Sequence, residues 1–499
     1  MRILFFLHNV SKSRHFDGVL ETLAERGHSI VLAAARQRNR PLSLPKNLGL
    51  VNRRLIAGGR PGRIEVTACP VRRVDEWEQV APALRQARDY LRFLDSRYAH
   101  AEKLEHRSAT STPPAWRRFI ADHPVVRRHW RAVARLLRLA EAAIPSERLF
   151  ELFIKYERPD VVLITPLVDY GSYQTDYVKS ANRLGVPVVF VPFSWDNLTN
   201  RGMIRVEPDR VLVWNDLQKN EAVELHGMPA DRVIVTGAPR FDAFFAMSPS
   251  TSRDEFCGHN GLDPASPFLL YVCSSEFVAP REVDFVKRWI REIRSATDPA
   301  VRSCGVLVRP HPAHAKQWRH ETLSDYPHVR LWSEKETMNA DQGLYDSLHH
   351  SAAVVGLNTS AMIEAGILGK PVHTIVSNDF AGGQEQTLHF AYLRAQNGGL
   401  LHEASGFEDH LQQIANSLRA DGAGREQSLR FTDRFVRPRG RQAAVAPVMV
   451  EEIETASRIE KRPQRWTPLL HHAARIGIRV ALARRRSPAK ASAPRRSDA

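Results

Sequence analysis

Residues 353–375, AVVGLNTSAMIEAGILGKPVHTI, decide how the rest of the chain is read. The run Ala353-Val354-Val355 has the unbroken apolarity of a strand buried on both faces. Residues 356–359 make a tight loop, and 360–368 carry Met362, Ile363 and Ile367 at helical spacing. Gly369 stops that helix, Pro371 follows the stop, and 372–376 open the next strand. The unit is strand–loop–helix–strand, with the helix starting at the carboxyl end of a strand. In an open α/β sheet ligands bind in that crevice, where a helix N-terminus offers free N–H groups and the positive end of its dipole. Asn358, Thr359 and Ser360 put three short hydrogen-bonding side chains there, and Glu364 follows one turn further in, placed to reach a ligand's hydroxyl groups. Such residues are also ordinary N-caps, so the functional weight of the stretch depends on the loops around it.

Upstream, the same punctuation recurs. A strand over 2–7, a helix over 17–26 stopped by Gly27 and a strand over 28–34 predict a βαβ opening. Its loop lacks GxGxxG, so the dinucleotide fingerprint is absent. Residues 76–156 read as mostly helical and rich in arginine, and strands return at 161–165, 186–191, 210–214 and 232–236. The Pro/Ser-rich residues 248–252 mark the passage into a second α/β pattern with strands at 268–273 and 305–308. At 499 residues the chain is too long for one core. The predicted class is α/β: two Rossmann-like, doubly wound domains facing a central cleft. The first spans 1–245 with a helical insertion at about 76–157, the second spans 246–455, and a basic tail occupies 456–499.

Polar residues gather where these strands end. In the second domain Ser274, Arg309-Pro-His311-Pro, Asn358-Thr359-Ser360 with Glu364, and Gly382-Gly-Gln384-Glu385 are candidates for lining the cleft. An Arg, a His and a helix N-terminus together suit a diphosphate, and a Glu one turn into that helix suits ribose hydroxyls. Gln384 and Glu385 suit the hydroxyls of a sugar. In the first domain the loop after the first strand holds His8, His15 and Asp17, and 192–202, PFSWDNLTNRG, concentrates Trp195, Asp196 and Asn197.

On these motifs the chain resembles GT-B type glycosyltransferases of the UDP-glycosyltransferase/glycogen phosphorylase superfamily. The resemblance covers residues 1–455 and is best in RILFF, RHFDGVL, LAERGHSIVLA, PFSWDNLTNRG, RVIVTGAPRFD, VLVRPHP and VVGLNTSAMIEAGILGKPV. The last two are also similar to motifs of CDP-glycerol glycerophosphotransferases and nucleotide-sugar 2-epimerases. The resemblance implies a nucleotide-sugar donor in the second domain, with Thr359 and Ser360 at the phosphates, Glu364 at the ribose, and Gln384 and Glu385 at the sugar. It implies an acceptor side and a catalytic base in the first domain, with His15, Asp196 and His8 as candidates for the base and Trp195 and Asn197 facing the acceptor. No DxD pair lies in a loop and the class usually works without metal, so no metal and no cofactor beyond the donor are expected.

Charge qualifies this picture. Of the net +16, residues 458–499 supply +10, with 12 Lys/Arg against two acids. A basic tail points to an anionic surface, membrane or nucleic acid. No recognition motif with interleaved aromatics accompanies it, so nucleic acid is not expected, and a non-catalytic polyanion binder is the weaker alternative. Within the tail, 466–486 reads as a basic amphipathic helix. Leu469, Leu470, Ala473, Ile476, Val480 and Ala483 form an apolar stripe flanked by Arg475, Arg479 and Arg486, with Trp466 at one end. Such a helix lies in a membrane interface. Four scattered cysteines and an N-terminal apolar run too short for a signal peptide suit a reducing cytoplasm.

Overall fold

Two parallel sheets carry the two cores of the computed structural model, which describes residues 1–36, 42–332, 340–419, 422, 424–463 and 468–486, the side chains of the last segment to residue 480. The first sheet contains β1 (Arg2–Leu7), β2 (Ser29–Ala34), β3 (Arg63–Ala68), β4 (Val161–Thr165), β5 (Val188–Phe190), β6 (Arg210–Val213) and β7 (Val233–Val235). Its order is β3-β2-β1-β4-β5-β6-β7. The second contains β8 (Phe268–Val272), β9 (Gly305–Arg309), β10 (Val329–Leu331), β11 (Ala353–Gly356), β12 (Val372–Ile375) and β13 (Leu401–Ala404), in the order β10-β9-β8-β11-β12-β13. All the pairings are parallel. Parallel strands need crossovers that cover both faces, which is why β4, β8 and β11 are buried at every residue. The edge strand β3 instead exposes Arg63 and half-exposes Glu65, which pair with each other.

The strand order reverses between β1 and β4 in one domain and between β8 and β11 in the other. The loops leaving those strands, 8–16 and 166–173, and 273–275 and 357–360, therefore diverge and leave a crevice in each domain. The arginine-rich insertion is helical between β3 and β4, including Val80–Leu91, Glu102–Ser111, Pro114–Asp122, Trp130–Ala143 and Arg148–Glu157. It is tied to the α/β body by a buried ionic knot. Arg85 is fully buried and reaches Glu141 at 3.1 Å and Asp176 at 2.8 Å, while Lys179 meets Glu141 at 2.7 Å. Burial opposes charge on Glu141, but Arg85 and Lys179 outweigh it and hold the carboxyl well below the usual range.

One expectation needs correction. The helix Val445–Ser457 does not finish the second domain: Met449, Val450 and Ile453 pack into the first domain's core beside Leu20 and Leu23. Asp242 holds the crossing, with Arg437 Nη2 at 2.7 Å and the Ala446 amide at 2.8 Å. Gly237, at φ +105°, admits the chain here, because a Cβ would stand 2.6 Å from Val445 Cγ2.

Candidate active site in the interdomain cleft

On the second-domain wall most of the expected ligands are already engaged. Asn358 is buried; its Nδ2 donates to Gly383 O at 2.6 Å and its amide to Ser274 Oγ at 3.4 Å. Gly383 lets the Val278 backbone pack against this loop, since a Cβ would meet Val278 O at 2.4 Å. The Ser274 amide donates to Glu282 Oε2 at 2.7 Å, and burial pushes Glu282 up to about 7. Gln384 is corrected from a sugar ligand to a brace: fully buried, its Nε2 donates to Ile375 O at 3.0 Å and Leu357 O at 3.2 Å. Glu385 is exposed and pairs with Arg394 at 2.9 Å. Arg309 donates to Ser347 Oγ at 3.3 Å and Ala340 O at 3.2 Å and lies over the Trp332 ring. His311 Nδ1 accepts from the Ala313 amide at 3.2 Å, capping a 3₁₀ turn, and burial holds it below the usual imidazole range. Thr359 and Ser360 differ. They lead into the helix Ala361–Ile367, and the Ser360 side chain does not cap it.

The first-domain wall is crowded with cations that the sequence reading passed over. Lys12 Nζ lies 4.7 Å from the Phe193 ring centre and Arg201 5.7 Å from it, while His15 stacks on that ring at 5.1 Å. Burial lowers the Lys12 pKa, and Arg201, Arg14 and Arg240 lower it further. The same field governs His15: burial first, then Arg240, Arg14 and Lys12, push its pKa down to about 2. Burial and that field disfavour a proton on His15, which weighs against a role as general base. Asp196 sits at the seam between domains. Burial would raise its pKa, but His389, Ser194 and Asn200 outweigh it and hold the carboxyl below the usual range.

Trp195 and Asn197, expected on the acceptor side, are buried. Trp195 is in the core that joins the domains, edge-on to His389 at 4.7 Å and to Phe435 at 6.1 Å. Asn197 is fully buried, and its Oδ1 accepts from the amides of Phe193 at 3.0 Å and Ser194 at 3.2 Å. Both are packed into the loop and its surroundings, with Asn197 Oδ1 holding the turn.

His8 remains open to the cleft. It is exposed at the carboxyl end of β1, with Nδ1 3.5 Å from Asp169 Oδ2, and Asp169 also binds Arg201. Asp169 leaves β4, so the pair straddles the first domain's crevice. Across the cleft Arg240 Nη2 meets Glu364 Oε1 at 3.2 Å. Burial raises the Glu364 pKa against the opposite pull of Arg240. The residues missed by sequence reading, Lys12, Arg14, Asp169, Arg201 and Arg240, all lie in loops at strand carboxyl ends. That position was their signal. Among the described residues no cluster of His, Cys, Asp or Glu is placed to hold a metal ion.

No protein-family model and no curated protein matches the sequence. Solved structures do match the fold. The UDP-GlcNAc 2-epimerase of Neisseria meningitidis, bound to UDP-GlcNAc, superposes with a TM-score of 0.51 at 13% identity, covering 91% of this chain and 100% of its own. A candidate UDP-N-acetylglucosamine 2-epimerase from Listeria monocytogenes gives 0.51 at 12% identity, covering 93% and 98%. A glycosyltransferase from Rickettsia africae gives 0.49 at 12% identity, covering 92% and 99%. The fold of this chain is the two-domain, Rossmann-like GT-B architecture.

Proposed function

We propose that the protein is an enzyme of nucleotide-activated sugars, a GT-B glycosyltransferase that moves the sugar to an acceptor hydroxyl of a surface-glycan or lipid-linked intermediate. One observation carries the reading: Lys12, Arg14, Arg201 and Arg240 gather on the wall that meets Glu364 of the second domain. Clustered guanidinium and ammonium groups suit a diphosphate and steady it as it departs. Thr359 and Ser360 offer hydroxyls at the opposing helix start, and Glu364 takes the ribose by exchanging its contact with Arg240. His8, oriented by Asp169, takes the proton of the acceptor hydroxyl. No metal enters this scheme. A thermal-shift screen of nucleotide sugars and CDP-glycerol tests it, because a ligand that binds only the folded state raises the melting temperature. Failure of every nucleotide sugar to do so removes the proposal, and a response to CDP-glycerol alone transfers it to the glycerophosphotransferase reading.

A second reading, 2-epimerisation of the nucleotide sugar, is supported by the two structures that superpose at 0.51, a UDP-GlcNAc 2-epimerase and a candidate one. An epimerase needs no acceptor, so turnover of UDP-GlcNAc alone decides between them.

The tail bears on where the enzyme works. The helix Leu469–Arg486 packs on Trp130–Ala143 of the insertion, with Arg475 Nε donating to Ala143 O at 2.8 Å and Arg479 pairing with Glu76 at 2.5 Å. Its outward face exposes Leu469, Leu470, Ile476 and Val480; Trp466 lies outside the described residues, and the side chains of Ala483 and Arg486 outside the described side chains. No helix among the described residues is long and apolar enough to cross a membrane. This face lies on an anionic membrane surface with its leucines down. Leu470→Asp with Ile476→Asp abolishes flotation with anionic vesicles; equal partitioning of variant and native protein ends this part of the reading.

A further inference from the structure

A cavity of about 700 Å³ opens in the first domain between the insertion, the helix Gln174–Leu184 and the tail helix, and shares no lining residue with the cleft wall described above. Its walls carry eight Lys/Arg against four Asp/Glu, and the acids are engaged. Glu141 belongs to Arg85 and Lys179, Asp209 to Lys461 at 2.5 Å, Glu207 to Arg232 at 3.4 Å, and Glu151 accepts from Ser146 at 2.5 Å.

Arg88 is the anomaly. It lines the cavity with only 6% of its surface exposed, and its one hydrogen bond among the described residues is to Arg205 O at 3.5 Å, the limit for such a contact. The nearest carboxylates are taken. Asp89 receives Arg205 and the Met203 amide, and Glu141 is held as above. A guanidinium that deep is ordinarily paired, because an unpaired buried charge is costly. Burial lowers its pKa to about 10, with Glu141 and Asp89 opposing and Arg205 and Arg138 adding to the fall. Among the described residues Arg88 thus has no carboxylate of its own at ion-pair distance, and it borders the cavity. Arg138, from the insertion, and Arg475, from the tail helix, stand at the same cavity, and Ile144 and Ile204 supply apolar wall.

We propose that this cavity binds a phosphate ester, its phosphoryl oxygens held by Arg88 and Arg138 beneath the tail helix and its organic part against Ile144 and Ile204. A guanidinium fork matches phosphate oxygens in pairs, and a site with several cations favours a dianion over a carboxylate. The ester is either a free metabolite or the headgroup of an anionic lipid, since the exposed leucines of the tail helix adjoin the site.

The test is titration calorimetry of the full chain with inorganic phosphate and with glycerol 3-phosphate, in an Arg240→Ala background that weakens the cleft. Saturable binding is expected, at least tenfold weaker with Arg88→Gln and severalfold weaker with Arg138→Gln, an exposed position that does not threaten the fold. In phosphate-free buffer Arg88→Gln should melt no lower than the parent, because it removes an unpaired charge. Arg88-dependent flotation with phosphatidylglycerol vesicles but not with phosphatidylcholine assigns the headgroup; Arg88-dependent binding of the soluble probes alone assigns a free ester. The proposal is overturned if the Arg240→Ala protein binds neither probe nor vesicle, if Arg88→Gln and Arg138→Gln bind as the parent does, or if Arg88→Gln melts lower without phosphate, which would mean the fold itself satisfies Arg88.

Discussion

On the second-domain wall of the cleft, Ser274, Asn358 and Gln384 hydrogen-bond to neighbouring loops; on the first-domain wall, Lys12, Arg14, Arg201 and Arg240 crowd one another and lower the Lys12 pKa. The first arrangement is a scaffold with its polar groups satisfied internally, as buried polar groups must be. The second is a cluster of cations in which Arg201 pairs with Asp169 and Arg240 with Glu364, while burial and the neighbouring arginines disfavour the charge on Lys12. Polar residues at strand ends are thus not equivalent. Neutral amides there fix loop shape, and the cluster of cations is what the proposed function assigns to the diphosphate.

The largest effect that would break this contrast is on stability. Gln384→Ala leaves Ile375 O and Leu357 O without their donor, and the protein should lose roughly 2–4 kcal/mol in denaturant titration. A variant with native stability but weaker donor binding would return Gln384 to the sugar. Next is Arg240→Ala, which should weaken a nucleoside diphosphate by roughly 1.5–3 kcal/mol, about 10- to 160-fold, and its bare nucleoside little. Equal weakening of both would show that Arg240 only orders the seam with Glu364.

The seam itself titrates. Glu221, buried beside Tyr392 and Asp196, is pushed by burial up to about 8, against the opposite pull of the Tyr392 hydroxyl. An acid whose pKa is raised by folding takes up a proton on folding between its unfolded value, near 4.5, and that raised value. Stability should therefore fall as pH rises from 5 to 8 and level off above. Glu221→Gln should flatten the profile and add on the order of 2–3 kcal/mol at pH 7; parallel profiles for the two proteins would place the titration elsewhere. The smallest effect is at His311. His311→Ala removes a cap and should cost about 0.5–2 kcal/mol of stability, with diphosphate and nucleoside affinities changing alike. A selective loss for the diphosphate would move the phosphates back to the second wall.

The sequence by itself determined the class and order of the elements. The apolar runs at 2–7, 161–165, 268–272 and 353–356 have the period of strands buried on both faces, and the Gly and Pro stops between them set helix lengths. The strand-end rule also located the cleft loops, because it depends on connectivity alone. What it did not determine was which way each side chain turns. Gln384 and Glu385 are neighbours of similar chemistry, yet one is buried under three carbonyl and hydroxyl acceptors and the other meets Arg394 in solvent. His8 and His15 share a loop, but only tertiary packing set His15 on Phe193 beneath three cations and left His8 beside Asp169. The return of residues 445–457 to the first domain, the Arg240–Glu364 contact and the burial of Arg88 against Arg205 likewise join residues far apart in the chain. Periodicity records what a residue's near neighbours require; burial and charge at a site are sums over groups that only the folded chain brings together.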